Sequence, residues 1–131
     1  MASSYYKPCP ELDICNALIE TYWEAGRYDK CLEGFLPLAE QGYPLAECQA
    51  GYFYWEGLGV EKNPDKAFYW TRRAAEHGDW DGQYNLAEFY EKGECTAPDM
   101  EQARRWYLQA ARQGHQLALK RCRELGLSLN E

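Results

Sequence analysis

The sequence predicts an all-α chain, an α-solenoid of about seven helices laid down as antiparallel pairs. Three observations carry that expectation. The chain repeats itself at an interval of 36 residues, and its small and aromatic residues recur at the three-or-four spacing of a helix face. No segment alternates with the period of two that a strand requires.

Sliding the chain on itself by 36 residues places Tyr54 on Tyr90, Gly57 on Gly93, Ala67 on Ala103 and Trp70 on Trp106. Ala74 and Ala75 fall on Ala110 and Ala111, and Gly78 falls on Gly114. Ala67, Trp70, Ala74 and Gly78 share one helical face, where small side chains let two helices approach and Trp70 and Trp106 are expected to fill the core between them. Gly78 and Gly114 follow the last apolar position and mark helix ends. Asn63-Pro64 marks a start, with a capping residue before a first-turn proline, and Asp99 with Gln102 resembles a capping box.

In chain order, residues 1–10 form an N-terminal extension. Leu18, Tyr22, Gly26, Tyr28, Cys31, Phe35 and Leu38 then outline a degenerate hairpin over 11–43, with helices at 11–25 and 28–41. Its internal loop is short, but Cys31 to Tyr54 is 23 residues, the same as Ala67 to Tyr90, so the register holds. The first clear repeat, 44–79, places helices at 44–56 and 64–77; the second, 80–115, places them at 80–92 and 99–113. A last helix from His115 to Leu125, within a 116–131 cap, carries Lys120, Arg121 and Arg123 as a solvent-facing end should.

The run Ala46, Gly51, Tyr54, Gly57, Gly59-Val60, Lys66-Ala67, Trp70, Ala74-Ala75 and Gly78 resembles the Sel-one-like repeat, a relative of the tetratricopeptide repeat. The 82–114 copy matches less fully, lacking the second loop glycine and the valine, and the first hairpin resembles a plain tetratricopeptide unit. The resemblance implies a right-handed superhelix whose first helices line a concave groove used for protein–protein contacts.

Composition narrows the function classes. A formal charge of −7 and a pI near 4.9 exclude a nucleic-acid partner, whose phosphates would be repelled. The N-terminus lacks the apolar core of a signal peptide, and no stretch is long and apolar enough for a membrane span, so a cytoplasmic location without membrane contact is expected. The six cysteines are irregularly spaced: Cys9 and Cys15 are separated by five residues, and none recurs at the repeat interval. Cysteine-rich secreted members of the family pair their cysteines once per unit, so here free thiols are expected, with Cys31 and Cys122 at core positions. No metal site, cofactor or catalytic residue is expected. His77 and His115 have no Ser, Cys or acidic partner at a recognisable spacing, and each flanks a helix-end glycine, where a partly cationic ring suits the carbonyl end. Gly57-Leu58-Gly59 is read as a turn between helices, not a phosphate loop. β-Lactam hydrolysis, credited to cysteine-rich relatives, is the enzymatic alternative, but the chain has no Ser-x-x-Lys pattern.

Charge separates by helix type. The helices at 11–25, 44–56 and 80–92 carry net −4, −2 and −2, whereas 64–77 and 99–113 each carry +1. With the first helices inside, the stripe opposite the expected core of Leu18, Tyr22, Ala50, Gly51, Tyr54, Leu86, Ala87 and Tyr90 would line the groove. The expected partner-binding residues are therefore Asn16, Glu20, Trp23, Glu24, Tyr52, Trp55, Glu56, Tyr84, Glu88 and Glu91. Aromatics interleaved with carboxylates suit a basic, partly apolar protein segment. A small, acidic, free-standing chain suggests an inhibitor or immunity-type role against a basic toxin, with an adaptor or effector role as the alternative.

Overall fold

The computed structural model describes residues 10–130, and the description below concerns those residues alone. Seven helices follow one another: α1 (Pro10–Leu18), α2 (Tyr28–Glu40), α3 (Pro44–Glu56), α4 (Pro64–Glu76), α5 (Trp80–Lys92), α6 (Met100–Arg112) and α7 (Gln116–Glu124). No strand is present among the described residues. From α2 onward each helix packs chiefly on its sequence neighbours, so the chain is a solenoid of antiparallel pairs. The extension, with Cys9, lies outside the described residues apart from Pro10, which opens α1.

The helix punctuation is repeated at the level of individual hydrogen bonds. Asn63 Oδ1 accepts from the Lys66 amide at 3.1 Å, and Asp99 Oδ1 accepts from Gln102 at the same 3.1 Å. The Asp99 amide donates to the Tyr90 carbonyl, just as Asn63 donates to Tyr54, both at 2.9 Å. The loop is thereby clamped to the preceding helix, and the Asp99 amide is not left for a reciprocal capping box. At the far end Gly78 and Gly114 both stand at φ +92°, letting the next amide reach back to Ala74 and Ala110.

The first helix departs from the expected continuous α-helix. Beyond α1 the segment Ile19–Trp23 is a single π-helical turn, which closes through Gly26 at φ +71° and a 2.8 Å bond from the Arg27 amide to the Tyr22 carbonyl. Trp23 at its end packs edge-on against Tyr28 and Phe53, at centroid distances of 5.1 and 5.8 Å.

Burial sorts the expected core. Ala50, Gly51, Tyr54, Leu86 and Ala87 are buried, but Leu18, Tyr22 and Tyr90 are only half-buried. Phe35 and Phe53, 5.7 Å apart, fill the first cluster. In the last repeat Tyr107 is the buried ring, not Trp106, which lies half-exposed with Arg105 over its face at 5.3 Å. Trp70 is buried as expected. Cys31, Cys48, Cys95 and Cys122 are free thiols, and Cys31 and Cys122 occupy core positions.

Candidate functional site

The first helices of successive pairs leave two adjoining depressions. The larger encloses about 550 Å³ and is lined by Ile19 and Trp23 of the π-turn, Cys48, Gln49 and Tyr52 of α3, Asp81, Tyr84 and Asn85 of α5, with His115 and Leu117 at the start of α7. The smaller, about 210 Å³, lies between α3 and α5 and is bounded by Gly51, Tyr52, Trp55, Glu56, Thr71, Asn85, Glu88 and Phe89. Tyr52 and Asn85 belong to both.

Of the ten residues read from the sequence, Trp23, Tyr52 and Tyr84 line the larger depression, and Tyr52, Trp55, Glu56 and Glu88 the smaller. Asn16, Glu20, Glu24 and Glu91 line neither. Glu20, in the π-turn, and Glu24, just after it, are exposed; Asn16 is half-buried, and its side-chain oxygen is buried with no hydrogen-bond partner among the described residues. Trp23 and Trp55 are not free-standing rings. Trp23 lies 6.5 Å from Tyr52 in a stack, while Trp55 lies 5.1 Å from Phe89 and carries the Lys62 ammonium 4.7 Å from its ring.

The carboxylates divide into two groups. Glu47 is fully buried and faces α4 instead of the groove, bound by Arg73 Nε at 3.0 Å and by His77 Nδ1 at 2.6 Å. Glu11 accepts from the Tyr43 hydroxyl at 2.8 Å. Glu91 joins three helices, accepting from the Tyr107 hydroxyl at 2.6 Å and pairing with Arg121 of α7. The Arg121 guanidinium holds Glu91 below the usual glutamate range, with Tyr107 assisting. These carboxylates tie helices together, so the charge tally by helix overstates the acidity of the groove. Glu20, Glu24 and Glu56 make no ion pair among the described residues, and Glu88 is shared with Lys92 at 3.3 Å and Tyr84 at 3.4 Å.

His115 is the residue the sequence most misplaced. It caps the N-terminus of α7, its Nδ1 accepting from the Ala118 amide at 3.3 Å, while Nε2 meets Asp81 Oδ1 at 2.9 Å. The ring thus sits at the amide end of α7 and not at a helix carbonyl end as the sequence reading placed it. Tyr84 stacks on this ring at 4.9 Å and Trp80 meets it edge-on. The only sequence signal was the register, since 115 is one repeat after Asp79, whose carboxylate caps α5 at Gly82 over 2.7 Å.

The larger depression thus brings together a thiol, an imidazole and a carboxylate, but their arrangement is structural. Burial drives the Cys48 thiol well above its ordinary value, and Asp79 and Asp81 push the same way. Both His115 nitrogens are engaged, so the ring is not placed to take a proton from the thiol. Among the described residues no cluster of His, Cys, Asp and Glu could hold a metal ion, and no helix is long and apolar enough to cross a membrane.

Stacked helix pairs define a class of repeat scaffold, proteins that present a surface to a partner. The Sel1 repeat family matches residues 44–79 and 80–115, and the chain belongs to it. Sel1 repeat proteins are generally protein-interaction modules. The chain is 37% identical over 92 residues to chitin synthase regulatory factor 3 of Schizosaccharomyces pombe, a match covering 69% of this chain and 10% of that one. Among solved structures it is similar to a Sel1 repeat protein from Oxalobacter formigenes, with TM-score 0.73 and 38% identity over 81% of this chain and 42% of the other. It is also similar to a protective antigen of uropathogenic Escherichia coli, with TM-score 0.71 and 29% identity over 92% of this chain and 27% of that one. The chain therefore spans only a tenth of the curated relative and less than half of either solved structure.

Proposed function

We propose that the chain is a non-enzymatic binding segment that seats one protein partner along the groove of the first helices. The observation that carries this reading is the larger depression, walled by Trp23, Tyr52, Tyr84 and Leu117, with Tyr52 and Leu117 among the most exposed large apolar side chains of the described residues. The partner is a protein segment with an apolar anchor for that depression and basic residues for the carboxylates around it. Trp23, Tyr52, Trp55 and Tyr84 provide aromatic contact; Glu20, Glu24, Glu56 and Glu88 provide charge; Asn16 and Glu91 line neither depression and take no contact role. An adaptor role is preferred to toxin inhibition, because the match to a regulatory factor covers a small part of a much longer protein. The free thiols of Cys31, Cys48, Cys95 and Cys122 fit a reducing compartment such as the cytoplasm.

The test is site-specific crosslinking in the native cell. A photoreactive phenylalanine at Tyr52, 41% exposed in the groove, should crosslink a discrete partner, and one at Tyr69, 51% exposed on the second helix α4, should not. Tyr84→Ala should remove the Tyr52 crosslink while the protein stays folded. Crosslinks from Tyr69 alone would move the binding surface to the outer face.

A further inference from the structure

The smaller depression has a specific origin. Positions 35, 71 and 107 are equivalent, one per pair and 36 residues apart, and hold Phe35, Thr71 and Tyr107. All three are buried, but only the middle one is not aromatic. In the last repeat the ring of Tyr107 lies against Tyr84 at 5.7 Å and sends its hydroxyl to Glu91. At position 71 threonine is the smaller side chain, and it packs on Gly51 so closely that a Cβ there would stand 2.5 Å from the Thr71 hydroxyl. Both residues line the 210 Å³ depression between α3 and α5.

Its chemistry is one-sided. Thr71 is 3% exposed and lines the depression, with its hydroxyl turned towards Gly51. Glu56 and Glu88 stand at the rim, and Trp55 and Phe89 form aromatic walls. The Trp55 ring already accepts a cation within the fold, from Lys62 at 4.7 Å. Two carboxylates and π-faces call for a cationic group, to which the Thr71 hydroxyl can add an acceptor.

From the missing aromatic at Thr71, the aromatic walls of Trp55 and Phe89 and the two carboxylates at the rim, we infer that this depression is a specific pocket for one basic side chain of the bound partner. The assignment rests on the groove reading and adds its point of charge recognition: the partner's apolar anchor occupies the larger depression and an arginine or lysine the smaller. The entering cation competes with Lys92 for Glu88. Arginine can lay its plane on Trp55 and reach a carboxylate with two donors, whereas lysine offers a compact charge to Glu56 and the hydroxyl.

The experiment uses N-acetyl-arginine methylamide, its lysine counterpart and the uncharged citrulline isostere, each titrated into the protein at low ionic strength and followed by amide and indole NMR shifts. Saturable shifts at Gly51, Thr71, Asn85 and the Trp55 indole are expected for the basic probes, with citrulline weaker by about tenfold or more. Whether arginine or lysine binds better distinguishes stacking from point-charge recognition, and either order supports the cation pocket. Thr71→Phe, which restores the ring of the sister repeats, should abolish the response. Should that variant fail to fold, Glu56→Gln with Glu88→Gln keeps the volume and should weaken binding by roughly tenfold, while Lys92→Ala should strengthen it. No saturable shift, equal binding of citrulline, or an unchanged response in a folded Thr71→Phe protein would overturn the assignment. The titration needs no partner, so the two readings fail separately. A silent probe with the Tyr52 crosslink intact removes the pocket alone. A responding probe with crosslinks only from Tyr69 removes the groove alone.

Discussion

The two family repeats, 44–79 and 80–115, share a backbone frame and fill it by opposite means. In the first, the slot between helices holds the buried carboxylate of Glu47, clamped by Arg73 and His77. One period later the same slot holds Gln83, which accepts from Gln113 at 2.8 Å and donates to the Ala75 carbonyl at 3.3 Å. Thr71 leaves a gap where Tyr107 closes one, and Gly59 turns the loop where Cys95 must. The repeat therefore preserves where the backbone turns and where helices touch, and it leaves the chemistry of each slot to be chosen locally. A charged, gapped repeat thus stands beside a neutral, filled one.

The sharpest break in that comparison comes from the filled slot. Tyr107→Ala should cost about 4 kcal/mol in urea unfolding, because a fully buried ring leaves a cavity, whereas Thr71→Ala should cost less than about 1 kcal/mol. Trp106→Ala, although the repeat places it beside Trp70, should cost only about 2 kcal/mol, since its ring is half in solvent already. If Trp106 proves the costlier of the two, the filled slot has been assigned to the wrong ring.

The second contrast is between the charged and neutral slots. Arg73→Ala leaves Glu47 buried with one partner fewer and should cost about 3 kcal/mol, the partial exposure of Arg73 softening the penalty. Gln113→Ala removes a neutral bond and should cost about 1 kcal/mol. Equal losses would show that Glu47 draws no more on its cation than Gln83 does on its amide.

The third concerns the loops. Gly59 stands at φ +66°, and a Cβ there would lie 2.2–2.7 Å from the backbone of Tyr28 and Asp29, so Gly59→Ala should destabilise by about 3 kcal/mol. Cys95 adopts φ 66° without being glycine, so Cys95→Gly should stabilise by about 1 kcal/mol in the same thermal melts. A loss at position 95 would show that the thiol packs well enough to outweigh its backbone.

The smallest effect is a pH dependence. Arg121 holds Glu91 below its ordinary range, so this contribution is complete above the ordinary glutamate value and fades as pH falls through the lowered one. The stability gap between the parent and Glu91→Gln should therefore be largest near neutrality, about 1 kcal/mol, and narrow as pH falls below the ordinary glutamate range. A gap that widens on acidification would mean that the ion pair does not set Glu91.

Helix number, order and ends were legible in the sequence because they follow from local rules. Prolines and Asn63 or Asp99 start helices, glycines stop them, and each rule acts within a few residues. The 36-residue register then predicted which helices pair. The stripe of Trp23, Tyr52, Tyr84, Trp55, Glu56 and Glu88 could be placed beside the two depressions because helical periodicity alone puts those residues on one side of the first helices. What the sequence could not determine were the partners that arise only when one pair stacks on the next. The capping role of His115, the burial of Glu47, the choice of Tyr107 over Trp106 and the gap at Thr71 all depend on which side chain of a neighbouring helix arrives opposite. Period and composition fix a residue's face on its own helix. Only the packed solenoid decides whether that face meets water, a carboxylate or an empty space.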